Sequence, residues 1–255
     1  MQQQFAITYP QLMNQAAALD FDSRDLVRLH EGYEIAVRLV DGIYRKQGVP
    51  FLCHLVRTAS IVMTETRSVD VILAAMLHAV YFLHYFQGSG RRGPRASDRV
   101  FLRDIIGSHA ESLVSRYGDF AWNEPGVVRG YAETADQHSA EKRELLLMQL
   151  ANELEDQLDA VTAYLDVSEP GARDASFGAE YIELAEALGH NALAQSLNEA
   201  FDLCGRTEVP SSVRRQRIGS YELRSRLWKA NVVERLGSAL RRFRANRADP
   251  RRRLK

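Results

Sequence analysis

The stretch VILAAMLHAVYFLHYF, residues 71–86, decides the fold. Its only strongly polar side chains are His78 and His84. The run is shorter than the roughly 20 apolar residues that span a bilayer and longer than one strand. An Ala-rich segment that is apolar on every side predicts a buried central helix, from about 69 to 86, in an all-α domain. Upstream, YRKQGVPFLCH (44–54) is a basic turn closed by Gly48 and Pro50 and followed by His54. Two histidines on apolar helices near an Arg-Lys turn predict a polar pocket inside a helical bundle.

Helical spacing of Leu26, Leu29, Tyr33, Val37, Val40 and Ile43 predicts a long helix over about 23–46, stopped by the Gly48–Pro50 turn. A short leading helix is expected at 9–18 and another at 52–66, before the central one. Residues 87–97, rich in Gly and Arg, read as a loop. Ser108 and Glu111 have the spacing of a capping box for a helix to about 117, with irregular chain over 118–136. Ser139 caps a long helix to about 165. After Pro170-Gly171, shorter helices are expected at 177–188 and 192–204. No repeat and no convincing strand is visible.

Apolar content of 45% and charged content of 26% are those of an ordinary soluble globular chain. Its start lacks the basic and apolar regions of a signal peptide, and Cys53 and Cys204 are expected as buried thiols, so a cytoplasmic protein is expected. The net charge of zero conceals a split. Residues 206–255 hold 16 basic and 4 acidic groups, +12, against 17 and 29, −12, in residues 1–205. Those ranges are the expected domains: a helical body and a basic extension. In the extension, Leu223, Leu227, Val232, Leu236, Leu240 and Phe243 line one stripe of an amphipathic helix over 222–247, among arginines. It is expected to dock on the body or on a second copy rather than on nucleic acid, and no membrane span is expected.

The segments YRKQGVPFLCH, AAMLH (74–78), LMQLANEL (147–154) and YIELAEALG (181–189) together resemble the HD hydrolase domain of the RelA/SpoT-type and metazoan SpoT-like ppGpp hydrolases. The resemblance covers about residues 29–204 and implies an HD-domain helical bundle. In that family a His, a His-Asp pair and a later Asp hold a divalent metal that activates water against a phosphate ester. The resemblance maps the histidines to His54 and His78. It puts Ala79 where the paired Asp belongs and Asn152 where the later Asp belongs. The acidic pair that helps activate water falls on Phe82 and Leu83. A hard cation needs anionic oxygens, so no metal and no cofactor is expected here.

The resemblance also matches Arg45 and Lys46 to the basic pair that lies against the nucleotide. His54 and His78 can act as acid or base without a metal. Tyr81, three residues past His78, is expected on the same face as a third acid/base candidate. Asp156, four residues past Asn152, is expected to offer one carboxylate to the pocket, and Glu153 and Glu155 to be solvated. Arg91, Arg92 and Arg95 are candidates to lid the pocket, and His84 is expected near the loop. Three functions follow. The first is a metal-free binder of a nucleotide or other phosphorylated, anionic small molecule through Arg45, Lys46, His54, His78, Asn152 and Asp156. The second is an enzyme of specialised metabolism that reuses His54, His78 and Tyr81. The third is an interaction protein acting through its basic terminal helix.

Overall fold

The computed structural model describes residues 5–45, 48–81, 94–120, 122, 124, 126–164 and 175–214, and the backbone of 221–222. The chain divides into two units, Met1–Tyr221 and Glu222–Lys255. The expected amphipathic helix over 222–247 lies outside the described residues. What is described is an all-α bundle. Its helices are α1 (Tyr9–Ala18), α2 (Ser23–Val40), α3 (Phe51–Glu65), α4 (Val69–Leu77), α5 (Ala96–Ile106), α6 (Ser108–Arg116), α7 (Val127–Glu133), α8 (Ala140–Gln157), α9 (Ala175–Ala187) and α10 (Asn191–Arg206). The only extended pieces among the described residues are the dipeptides Ile43–Tyr44 and Tyr221–Glu222. No described helix is long and apolar enough to cross a membrane.

The apolar run does form the centre. Every residue of α4 except Asp70 is buried, and α4 packs against α2, α3, α6 and α8. The helix is shorter than expected, however, ending at Leu77, with turn over 78–81. The cause is local. His78 turns its Nδ1 back onto the Ala75 carbonyl at 2.7 Å, an acceptor the next turn would need, and Val80 N–H bonds the Leu77 carbonyl in a tighter turn. Helix α2 also ends early, at Val40 rather than near 46, because Asp41 and Gly42 turn the chain with Gly42 at φ +76°.

Four further expectations differ from the structure. A helix, α5, begins within the stretch read as loop, at Ala96, with Arg95 N–H donating to Asp98. Ser108 does not cap α6; Gly107 precedes that helix, and Glu111 is turned inward. The region 118–136 contains α7 between two short 3₁₀ turns. Both cysteines are free and half-buried rather than buried.

The α2–α4 contact is close because Gly32 has no side chain: a Cβ there would come within 2.3 Å of Leu73 Cδ2. Gly32→Ala should therefore lower the urea-unfolding free energy by about 1–3 kcal/mol through overpacking. Gly130→Ala is the control. It lies inside α7, where a Cβ meets nothing within 4 Å, and should be neutral or stabilise by about 0.4–1 kcal/mol. Equal effects of the two would show that α2 and α4 do not meet at Gly32.

Candidate functional site

Three segments converge below α4. Pro50 opens α3 and places His54 one turn in. Before it the chain doubles back, with Arg45 N–H donating to the Val49 carbonyl and Gly48 N–H to the Arg45 carbonyl at 2.8 Å. Gly48 sits at φ +82° in this turn, where a side chain would be strained. The turn aims Arg45 at the last turn of α8. There Asn152, Glu155 and Asp156 share a face at spacings of three and four. Just past the end of α8 and its extended cap Leu158, the chain takes two left-handed residues, Asp159 at φ 59° and Ala160 at φ 51°. Arg57 of α3 holds Asp159 at 3.0 Å, which fixes the end of α8 against α3.

Glu155 is the centre of the site and was expected in solvent. It is 8% exposed. Glu155 Oε2 lies 2.5 Å from His54 Nδ1 and 2.8 Å from Arg45 Nη1. An oxygen and a nitrogen that close need a hydrogen between them, so Nδ1 carries the proton and donates to the carboxylate. Arg45 Nη1 is also 2.7 Å from Nδ1. It can only donate, so both groups serve the same oxygen. Burial pushes the Glu155 carboxyl up, but His54, Arg45 and Arg57 outweigh it and hold it down at about 2. The other arm of Arg45 reaches Asp156 Oδ1 at 2.7 Å as an ion pair. Burial disfavours the guanidinium charge, and Asp156 and Glu155 more than restore it.

Nδ1 being bound, His54 turns Nε2 the other way, to 3.4 Å from His78 Nε2. His78 is pinned through Nδ1 to Ala75, so in its neutral form Nε2 is a lone pair. Burial first, and then His54, lower the His78 pKa from 6.5 to about 3, which keeps it neutral at ordinary pH. Phe51 packs on His54 and Tyr117 on His78, both edge-on. Tyr117 donates its hydroxyl to Gln149, which in turn donates to the Tyr181 hydroxyl at 3.2 Å.

Of the expected residues, then, Arg45, His54, His78 and Asp156 meet in one network, and Glu155 joins them unexpectedly. The spacing of Glu155 from Asn152 was the available signal. Asn152 is half-buried one turn earlier on α8. Glu153 is also buried, and Gln157 donates to it at 2.9 Å. Tyr81 belongs to a second cluster. It donates to Glu111 Oε1 at 3.0 Å, and Arg99 reaches the same oxygen at 2.6 Å while Arg103 reaches Oε2 at 3.3 Å. Burial and Glu111 push the Tyr81 hydroxyl well above its usual range, which makes it a poor acid. Burial raises Glu111, but the hydrogen bonds from Arg99, Tyr81 and Arg103 bring it below the usual carboxylate range. Arg95 stands at the start of α5. Lys46, Phe82, Leu83, His84, Arg91 and Arg92 lie outside the described residues.

The donors do not fit the metal that the resemblance implies. Two imidazole Nε2 atoms converge, but Ala79 has no donor atom and Asn152 offers only a neutral amide. The carboxylates nearby are engaged by Arg45. What the arrangement provides is an imidazole oriented by a buried carboxylate on one side and facing a neutral imidazole on the other.

A family model described as a domain of unknown function (DUF6817) matches residues 38–121. The match takes in Arg45, His54, His78 and Tyr81 and stops short of Glu155 and Asp156. No curated protein matches the chain.

The buried neutral state of His78 sets a pH dependence. Below about 6.5 the unfolded chain takes up a proton that folded His78 refuses down to about 3, so stability present above that pH falls as pH falls. Glu155 adds its own loss only between about 4.5 and 2. Between pH 6.5 and 4.5, urea unfolding of the wild type should lose up to about 1.4 kcal/mol per pH unit more than His78→Asn. Parallel curves would mean that His78 is accessible to protons in the folded protein.

Proposed function

We propose that the chain is a metal-free relative of the HD-type ppGpp hydrolases, working in the cytoplasm, whose pocket serves metal-independent acid/base chemistry on a small molecule. His54 is the proton-transfer group, Glu155 orients it through Nδ1, and His78 is its neutral partner at Nε2. The observation that carries this reading is the series Glu155 Oε2, His54 Nδ1, His54 Nε2 and His78 Nε2, with separations of 2.5 and 3.4 Å at its two ends. A carboxylate behind an imidazole fixes its tautomer and stabilises the imidazolium when a proton arrives. The HD frame is supported by His54 and His78 meeting from α3 and the end of α4, as the resemblance leads one to expect.

A second reading rests on Arg45. Its side chain retains 16% exposure, so an anionic ligand can reach the guanidinium, and the pocket would then bind without reacting. Two carboxylates already answer that charge, which makes acid/base chemistry the better-supported role.

The experiment compares wild type with His54→Asn on a cell-derived small-molecule extract containing chelator, read by mass spectrometry, with ppGpp and manganese as a separate arm. Wild type should convert a component of the extract in chelator, and His54→Asn should slow that conversion about 10²–10⁴-fold. Neither should hydrolyse ppGpp. Manganese-dependent ppGpp hydrolysis would overturn the metal-free reading. Retention of a compound without conversion, weakened by Arg45→Ala by about 1.5–3 kcal/mol, would replace catalysis with binding.

A further inference from the structure

We infer that His54 Nδ1, Glu155 and Asp156 form a cation site of metal-ligand composition whose resident cation is the protein's own Arg45, so that removing that guanidinium uncovers a divalent-metal site. The inference rests on the metal-free part of the proposed function and is independent of any catalysis.

One atom from each of the three residues lies within 4.8 Å of the other two. An imidazole nitrogen with two carboxylates is a donor set suited to zinc, manganese or iron. It uses the Nδ1 edge of His54, opposite the Nε2 edge that meets His78. The two carboxylates stand in the last turn of α8, where the unpaired carbonyls of the helix add negative potential. Carboxylates buried in such a place need a cation beside them. Arg45 supplies it from a turn built for the purpose, with Nη1 at 2.8 Å from Glu155 and Nη2 at 2.7 Å from Asp156. One guanidinium faces two carboxylates, so a divalent ion would match the charge of the site more closely than its present occupant. The tether is what favours arginine: its local concentration is set by the chain, and a free ion must displace it.

The probe is zinc or manganese alone, added to full-length wild type, Arg45→Ala, Arg45→Gln and Arg45→Ala/Glu155→Gln. Metal retained after gel filtration is measured by mass spectrometry, and melting temperature is followed through the titration. Wild type should retain no metal. The two single variants should retain about one equivalent and melt higher as metal is added, in a saturable way. The double variant should bind at least about tenfold more weakly. If Arg45→Ala does not fold unaided, its refolding from urea should recover on addition of metal. Equal uptake by wild type and Arg45→Ala would overturn the inference, as would no uptake by either single variant or uptake indifferent to Glu155→Gln. Refolding unaffected by metal would do the same. These results concern variants lacking Arg45, and so differ from loss of chelator-resistant turnover in the wild type, which bears on the proposed function.

Discussion

The guanidinium of Arg45 is the contact on which the arrangement of the site depends. It joins residues 110 apart in sequence, tying the turn before α3 to the last turn of α8. Without it, Glu155 and Asp156 would be carboxylates held against a helix end with His54 and Arg57 left to offset their charge. Breaking a buried pair in this way costs on the order of 3–5 kcal/mol, although apolar residues in place of the whole network would serve stability as well or better. Stability therefore does not explain the network. Its specific effect is geometric: Glu155 is fixed, Glu155 fixes the His54 ring, and the ring presents Nε2 to His78.

The same constraint separates what local sequence patterns could show from what they could not. The apolar run of α4, the Pro50 start of α3 and the Ser139 cap of α8 are local signals, and the structure follows them. The place of Glu155 is not local. A charged triplet at 153–156 resembles a wet helix face until a cation from a distant turn neutralises it. The end of α4 was hidden for a different reason: the apolar pattern continues through Tyr81, but a side chain, His78, takes the carbonyl that the helix would need. Helix α5 leaves no visible stripe in the sequence because only Leu102 and Ile106 are fully buried on it. The spacing of Tyr81 from His78 puts both on one face of a continuous helix, and it fails because the helix has already ended.

The carboxylates of this chain do not stand where the resemblance would put them. Positions 79 and 152 have no carboxylate, while 155 and 156 both have one. The negative groups of the pocket stand one turn past Asn152 on α8, beside an arginine. This placement gives His54 a carboxylate on one ring nitrogen and an imidazole near the other. A divalent ion would draw on the lone pairs of both histidines, whereas here one ring is oriented by its neighbour and the other is kept neutral by burial.

The Glu111 cluster has a consequence for how the protein can diversify. Tyr81, where the chain leaves the end of α4, and Arg99, on the helix by which it returns, grip the same carboxylate. The two ends of the intervening segment are thus clasped together independently of what lies between them. Closing a longer flexible segment between fixed ends costs only about 0.6 kcal/mol for each doubling of its length. In loop-closure terms, the stretch between Tyr81 and Arg95 can therefore lengthen or shorten at little cost to the clasp. The clasp thus lets the number of residues between Tyr81 and Arg99 vary while both of its ends, just past α4 and on α5, keep their places.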